Sequence, residues 1–232
     1  RGIIYATSSV VSEWNTLQTS DDGGTVFTNR YTFGARINRV RALNNGNVLV
    51  ALANGELHLS TDGMETFNVV ADFSPQYVHM VFGFTVYDNI VLIAPYNTIP
   101  SGSPGKEVFM STDYGATFER IFSLLDYPLN PQSQAHIHVA QYDPYENLIW
   151  VGSGDSPAVW MVFYSPDMGQ TWYQASDFGE FENKPTTIIP LKNCVLFGSD
   201  SRLVGMMRYI RPAGGTIPGV KMFFDYPLIV TE

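Results

Sequence analysis

The sequence predicts an all-β fold made of about five repeated four-stranded antiparallel units. Three observations carry that expectation. Aromatic residues make up 14% of the 232 positions, beside 20 Gly and 14 Pro. Such chains favour strands joined by tight turns. No long run shows the 3.6-residue apolar period of an amphipathic helix. Finally, an eight-residue pattern recurs from positions 20, 60, 111 and 165, in steps of 40, 51 and 54 residues. Steps of that size suit one four-stranded repeat unit.

Two copies of the octet are complete. Ser111-Thr112-Asp113-Tyr114-Gly115-Ala116-Thr117-Phe118 reads S-x-D-x-G-x-T-F, and Ser165-Pro166-Asp167-Met168-Gly169-Gln170-Thr171-Trp172 reads S-x-D-x-G-x-T-W. The copy at 60–67 puts Met64 where Gly belongs, and the copy at 20–27 puts Val26 at the Thr position. The chemistry is that of a hairpin turn. A carboxylate can accept backbone N–H groups, Gly tolerates a positive φ, and the closing aromatic anchors the turn in the core.

The octet resembles the Asp-box, or BNR repeat, of sialidase-like β-propellers. The match covers residues 1 to about 175 directly. It implies a β-propeller of four-stranded antiparallel blades with Asp-box turns, here five in number. In that family the boxes are structural turns, so Asp22, Asp62, Asp113 and Asp167 are expected to hold turns rather than to catalyse.

The family's box joins the third and fourth strands of a blade, which places the elements. Blade one spans about 1–33, and the run 3–8 reads as its second strand, without an innermost one. Blade two (34–72) runs through strands 38–43, 47–53, 56–60 and 66–70. Blade three (73–124) has 78–87, 90–94, 107–111 and 117–121. Blade four (125–178) has 137–142, 148–152, 159–165 and 171–174. Blade five (179–225) has no box and strands 186–190, 194–198, 204–210 and 220–224. Residues 226–232 are left to close blade one, which would remove an exposed sheet edge. The rival reading is part of a six- or seven-bladed ring.

Charge and composition exclude some functions. Thirteen basic against 22 acidic residues give a net charge of -9, which disfavours nucleic acid and anionic membranes as partners. No run of 18 apolar residues suggests membrane insertion. Cys194 is the single cysteine, so no internal disulfide forms.

Loops joining second to third strands, and those joining blades, share the face where propellers usually bind ligands. The candidate ligand-binding residues there are Arg36 and Arg39 of blade two, His79 and Asn97 of blade three, His136, His138 and Asp155 of blade four, and Asp200 of blade five. The stretch from His136 to Asp155, and Cys194–Asp200 after it, look like phage and prophage BNR-repeat proteins. Two His and two Asp could hold a divalent metal, but the expectation is hydrogen-bonded channel residues, with no metal and no cofactor. Asp143-Pro144 reads as a turn, His58 as a strand face, and Trp150 and Trp160 as core.

An active sialidase needs three arginines on the substrate carboxylate, a Tyr–Glu nucleophile and an Asp acid/base. The early F/Y-R-I-P motif is missing; Phe33-Gly34-Ala35-Arg36-Ile37-Asn38 is a faint echo. Three of nine arginines bunch at 36, 39 and 41. No catalytic residue is carried over. The leading expectation is a non-catalytic module, extracellular or on a virion surface, that recognises a glycan or surface polymer. The alternatives are a glycoside hydrolase, with Asp155 and Asp200 as a carboxylate pair, and a scaffold that docks other structural proteins.

Overall fold

The computed structural model describes residues 2–7, 14–76, 83–96, 105–127, 135–154, 161–175, 185–200, 205–220, 222 and 224–228. Its strands form five antiparallel meanders. The first sheet has three strands, β1 (Ile4–Thr7), β2 (Thr16–Ser20) and β3 (Thr28–Thr32). The second has β4 (Ile37–Ala42), β5 (Val48–Leu52), β6 (Glu56–Ser60) and β7 (Asn68–Asp72). The third has β8 (Phe84–Tyr87), β9 (Ile90–Ile93), β10 (Glu107–Ser111) and β11 (Glu119–Ser123). The fourth has β12 (His136–Asp143), β13 (Leu148–Gly154), β14 (Val162–Ser165) and β15 (Tyr173–Gln174). The fifth has β16 (Pro185–Pro190), β17 (Cys194–Ser199), β18 (Met206–Ile210) and β19 (Phe224–Leu228).

Four-stranded antiparallel sheets in chain order are what the repeat predicted. The fifth sheet differs in one respect. Its last strand is Phe224–Leu228, paired with β18 through Met206↔Leu228 and Arg208↔Asp225, rather than 220–224. Residues 226–228 therefore sit in the fifth sheet, and 229–232 lie outside the described residues. The alternating pattern could not fix this register, because the connection before β19 is rich in Gly and Pro.

Each octet bridges the last two strands of its sheet. In the third sheet, Asp113 Oδ1 accepts from the Ala116 and Thr117 amides at 3.0 and 2.9 Å, and Oδ2 from the Thr117 hydroxyl at 2.7 Å. Ser111 Oγ donates to Asp113 at 2.7 Å and accepts from the Gly115 amide at 2.8 Å. Ser20–Asp22, Ser60–Asp62 and Ser165–Asp167 repeat the Ser–Asp bond at 2.7, 2.8 and 2.9 Å. Octet positions four and five both adopt positive φ, for example Tyr114 at 58° with Gly115 at 80°, and Gly63 at 76° with Met64 at 75°. Met64 thus takes the left-handed conformation without being Gly. Its side chain is buried with Leu17, Phe33 and Phe67, and that burial offsets the backbone strain.

These bonds hold the four carboxyls below their ordinary values. Hydrogen bonds from Thr66 and Ser60 lower Asp62 to about 2 from 3.8. The folded form is then favoured by ionisation. Its contribution is full above the unfolded pKa and is lost as pH falls through the folded one. The unfolding midpoint is expected to fall as pH drops from about 5 towards 2. An Asp62→Asn variant should show a shallower fall than the wild type in a thermal-melt series. An equal slope would count against the octet carboxylates as the acid-sensitive groups.

The chain divides into two compact units, one of residues 1–79, 88–91 and 111–118, the other of residues 80–87, 92–110 and 119–232. In the first unit, apolar faces of the first two sheets pack around Leu17, Phe33, Val50, Leu52 and Phe67. Phe33 and Phe67 meet edge-to-face at 5.0 Å. Gly115 lies close to Leu49, and Asn47 Nδ2 approaches the Tyr114 carbonyl at 3.5 Å.

In the second unit the fourth and fifth sheets share a core around Trp150, Tyr164, Phe197, Met207 and Tyr209. Trp150 is fully buried, as the sequence suggested. Trp172, which closes its octet, donates from Nε1 to the Ile121 carbonyl at 2.7 Å.

The fifth sheet has no octet, and an ion network holds its β18–β19 connection instead. Arg211, 6% exposed at its side chain, bridges Asp143 at 2.7 Å and Glu146 at 2.8 Å. Glu146 also accepts from the Thr216 amide and hydroxyl at 3.1 and 2.6 Å. Tyr164 Oη accepts from the Gly219 amide at 3.0 Å. Asp143 does form the turn expected of Asp143-Pro144, accepting from Tyr145 N at 3.0 Å. It also accepts from Trp150 Nε1 at 3.0 Å.

Candidate functional site

The inner strands carry a recurring irregularity. Pairing slips between Ile37 and Arg39 in β4, between Ile137 and Val139 in β12, and between Pro185 and Thr187 in β16. Each slip leaves one extra residue: Asn38, His138 and Thr186. A bulge re-aims the extra side chain and ends regular pairing. By register Arg36 corresponds to His136, and Asn38 to His138. The residue pattern alone pointed to Arg39 in that place and missed Asn38, because a one-residue bulge cannot be read from alternation.

In the first unit, Thr7, Trp14, Arg36, Ile37, Asn38 and Arg39 line a cleft of about 270 Å³. Backbone bonds fix its walls. Ile37 N donates to Trp14 O at 2.9 Å, Phe33 N to Asn15 O at 2.9 Å, and Ala53 N to Arg36 O at 2.8 Å. Asn15 Nδ2 adds a bond to Phe33 O at 2.7 Å. The Arg36 guanidinium lies over the Trp14 ring at 5.7 Å, a cation–π distance. Arg39 Nη1 donates to Asn38 O at 2.7 Å. Asn38 Nδ2 and Arg39 Nε are buried atoms with no hydrogen-bond partner among the described residues. No carboxylate pairs with Arg36 or Arg39 among the described residues, whereas Arg120 and Arg211 both have acidic partners. Trp14 was not singled out by the sequence; a lone Trp in a polar run carries no spacing signal.

In the second unit, His136 and His138 are both 2% exposed. Their rings lie 4.7 Å apart, and the Tyr96 ring meets His136 edge-on at 4.7 Å. Gly154 faces His138 so closely that an added Cβ would overlap the ring. The final Gly of Gly152-Ser153-Gly154 therefore makes room for this histidine. Among the described residues, no three His, Cys, Asp or Glu groups converge as metal ligands. Asp200 follows β17 and is exposed. His79, Asn97, Asp155 and Trp160 lie outside the described residues. His58 bonds Glu56 at 2.9 Å on its own strand, as a strand-face residue would.

Short meanders of four antiparallel strands, with turns bound by Ser and Asp, define the class: the chain is an all-β protein of β-propeller blades. No family model matches it, and no curated protein does. Among solved structures it is similar to the extracellular domain of BT4673 from B. thetaiotaomicron, at 11% identity and TM-score 0.59, covering 90% of this chain and 26% of that one. It is similar to YCF48 from Cyanidioschyzon merolae at 10% identity and TM-score 0.56, covering 91% of this chain and 64% of that one. An ancestral GH74 enzyme matches at 14% identity and TM-score 0.50, over 99% of this chain and 37% of that one. The chain thus spans between about a quarter and two thirds of the length of these structures. Among the described residues no helix is long and apolar enough to cross a membrane.

Proposed function

We propose that this protein is a non-catalytic binding module, displayed outside a cell or on a virion, that recognises a glycan or other surface polymer. In this reading the octets are Asp-boxes and the chain belongs with sialidase-like BNR-repeat propellers of phage type. The observation that carries it is the cleft of the first unit. An indole, an amide and two guanidiniums on a rigid backbone frame offer stacking and directional hydrogen bonds, the chemistry of sugar recognition. The likeness to an extracellular domain supports placement outside the cell.

A glycan array combined with a turnover assay tests this. The wild type is expected to bind at least one glycan class without cleaving it. Trp14→Ala should weaken binding by about ten-fold or more, the equivalent of about 1.4 kcal/mol. Turnover that disappears in Asp200→Asn or Asp155→Asn while binding persists would establish the hydrolase instead. Failure to bind any glycan, with co-purification of a structural protein, would establish the docking scaffold.

A further inference from the structure

We infer that the connection between β18 and β19 forms a second binding site, which takes a small uncharged aromatic molecule about two fused rings in size. The site shares no residue with the cleft around Trp14 and goes beyond the glycan reading.

The fifth sheet is the one without an octet, and its longer β18–β19 connection carries Ile217 and Val220 in place of a Ser–Asp turn. Ile210, Ile217 and Val220 are each more than half exposed. With Tyr209, Thr216 and Met222 they line a cleft of about 280 Å³. Tyr209 and Met222 belong to the core of the fourth and fifth sheets and form the buried side of the cleft. Among the described residues, no charged side chain lines it. Exposed apolar residues gathered around a concavity mark a binding site rather than ordinary surface.

The cleft is preformed. Arg211 Nε donates to Leu191 O at 3.0 Å. The Thr216 amide and hydroxyl donate to Glu146. The Gly219 amide donates to Tyr164 Oη at 3.0 Å, and Met222 N to Ala175 O at 3.3 Å. These bonds tie the connection down on either side of Ile217 and Val220. The apolar walls are thus set before a guest arrives, which lowers the entropy cost of binding.

The same bonds select the guest. The Thr216 hydroxyl gives its proton to Glu146, so the Tyr209 hydroxyl donates to Thr216, at 2.9 Å. Both side-chain donors in the wall are therefore spent within the protein. A charged guest would lose its water and find no partner here. The Tyr209 ring and the Met222 thioether favour an aromatic one. An apolar cavity of about 150 Å³ takes benzene, so this larger volume suits two fused rings. A protein is a poorer occupant, because a stable interface takes about 20–30 residues a side and seven line this cleft. A second copy is disfavoured further by the net charge of -9 on each chain.

Isothermal titration of the full chain near neutral pH would compare 2-naphthol with 2-naphthoate, its charged counterpart. 2-Naphthol is expected to bind saturably, and at least about ten-fold more tightly than 2-naphthoate. Its affinity should not change with salt, and binding should carry a negative heat-capacity change. Ile217→Asp and Ile210→Asp should each weaken it by about ten-fold or more. The unfolding midpoint should hold, since both side chains stand mostly in water. Val69→Asp, at a similarly exposed residue of β7, should leave binding unchanged, as should Trp14→Ala. Absence of saturable binding, equal affinity for 2-naphthoate, or Ile217 and Ile210 variants that bind like the wild type would overturn the inference. Loss of binding in Trp14→Ala would also overturn it, by placing the guest in the other cleft. The glycan array reads the glycan proposal separately, so either can fail alone.

Discussion

Arg211→Met is expected to lower the unfolding free energy by about 3–5 kcal/mol, the cost of leaving a buried charge unpaired. Arg211 sits between Asp143, which is fully buried, and Glu146, at 2.7 and 2.8 Å. Removing the cation leaves the fully buried Asp143 carboxylate without its counter-charge and the partly buried Glu146 carboxylate beside it. Asp143 also accepts from Trp150 Nε1 and Tyr145 N, so the bonds around it are set by the same network. Glu146 meanwhile organises Thr216, so the 211–219 connection loses its anchor as well. Total stabilities run about 5–15 kcal/mol, so this single change would bring the protein near its folding limit. Equilibrium urea denaturation, with a constant slope against denaturant, measures it. Replacing Asp143 and Glu146 along with Arg211 by apolar residues of similar volume should recover most of the loss. A loss below about 1 kcal/mol for Arg211→Met would mean that the network holds nothing together.

The second large effect is Gly169→Ala. Gly169 has φ of 90°, and an added Cβ would lie 2.7 Å from the Ile121 Cβ. A left-handed non-Gly residue costs about 1–2 kcal/mol, and overpacking adds about 1–3 kcal/mol. The expected loss is therefore about 2–5 kcal/mol. Two other glycines separate the causes. Gly115, at φ 80°, would place its Cβ 2.7 Å from Leu49 Cδ1, the far end of a flexible side chain that can move aside. Gly63, at φ 76°, has nothing within 4 Å and would show the backbone cost alone, about 1–2 kcal/mol. The order Gly169, Gly115, Gly63 in thermal melts would bear out the packing argument. Equal losses at all three would mean that backbone strain decides alone.

The repeat was legible because its chemistry is local. Ser, Asp and Gly act within eight residues, and the bonds from Ser111 and Asp113 close inside that window. Strand order followed from it, since a turn that joins neighbouring strands leaves little choice of pairing. The candidate site was legible only in part. Arg36, His136 and His138 stand at the entry of first strands and Asp200 directly after β17, the positions the spacing suggested.

The sequence by itself determined the all-β class, the four Ser–Asp turns and the core role of Trp150, because those features depend on neighbours a few residues away or on plain apolarity. Only the tertiary structure decided the rest. It made Asn38, not Arg39, the register counterpart of His138, since a bulge shifts register without changing composition. It brought Trp14 to Arg36 through backbone bonds between segments distant in the chain. It joined Asp143 and Glu146 to Arg211, 65 residues from Glu146, and no local pattern encodes a charge pair closed over that distance.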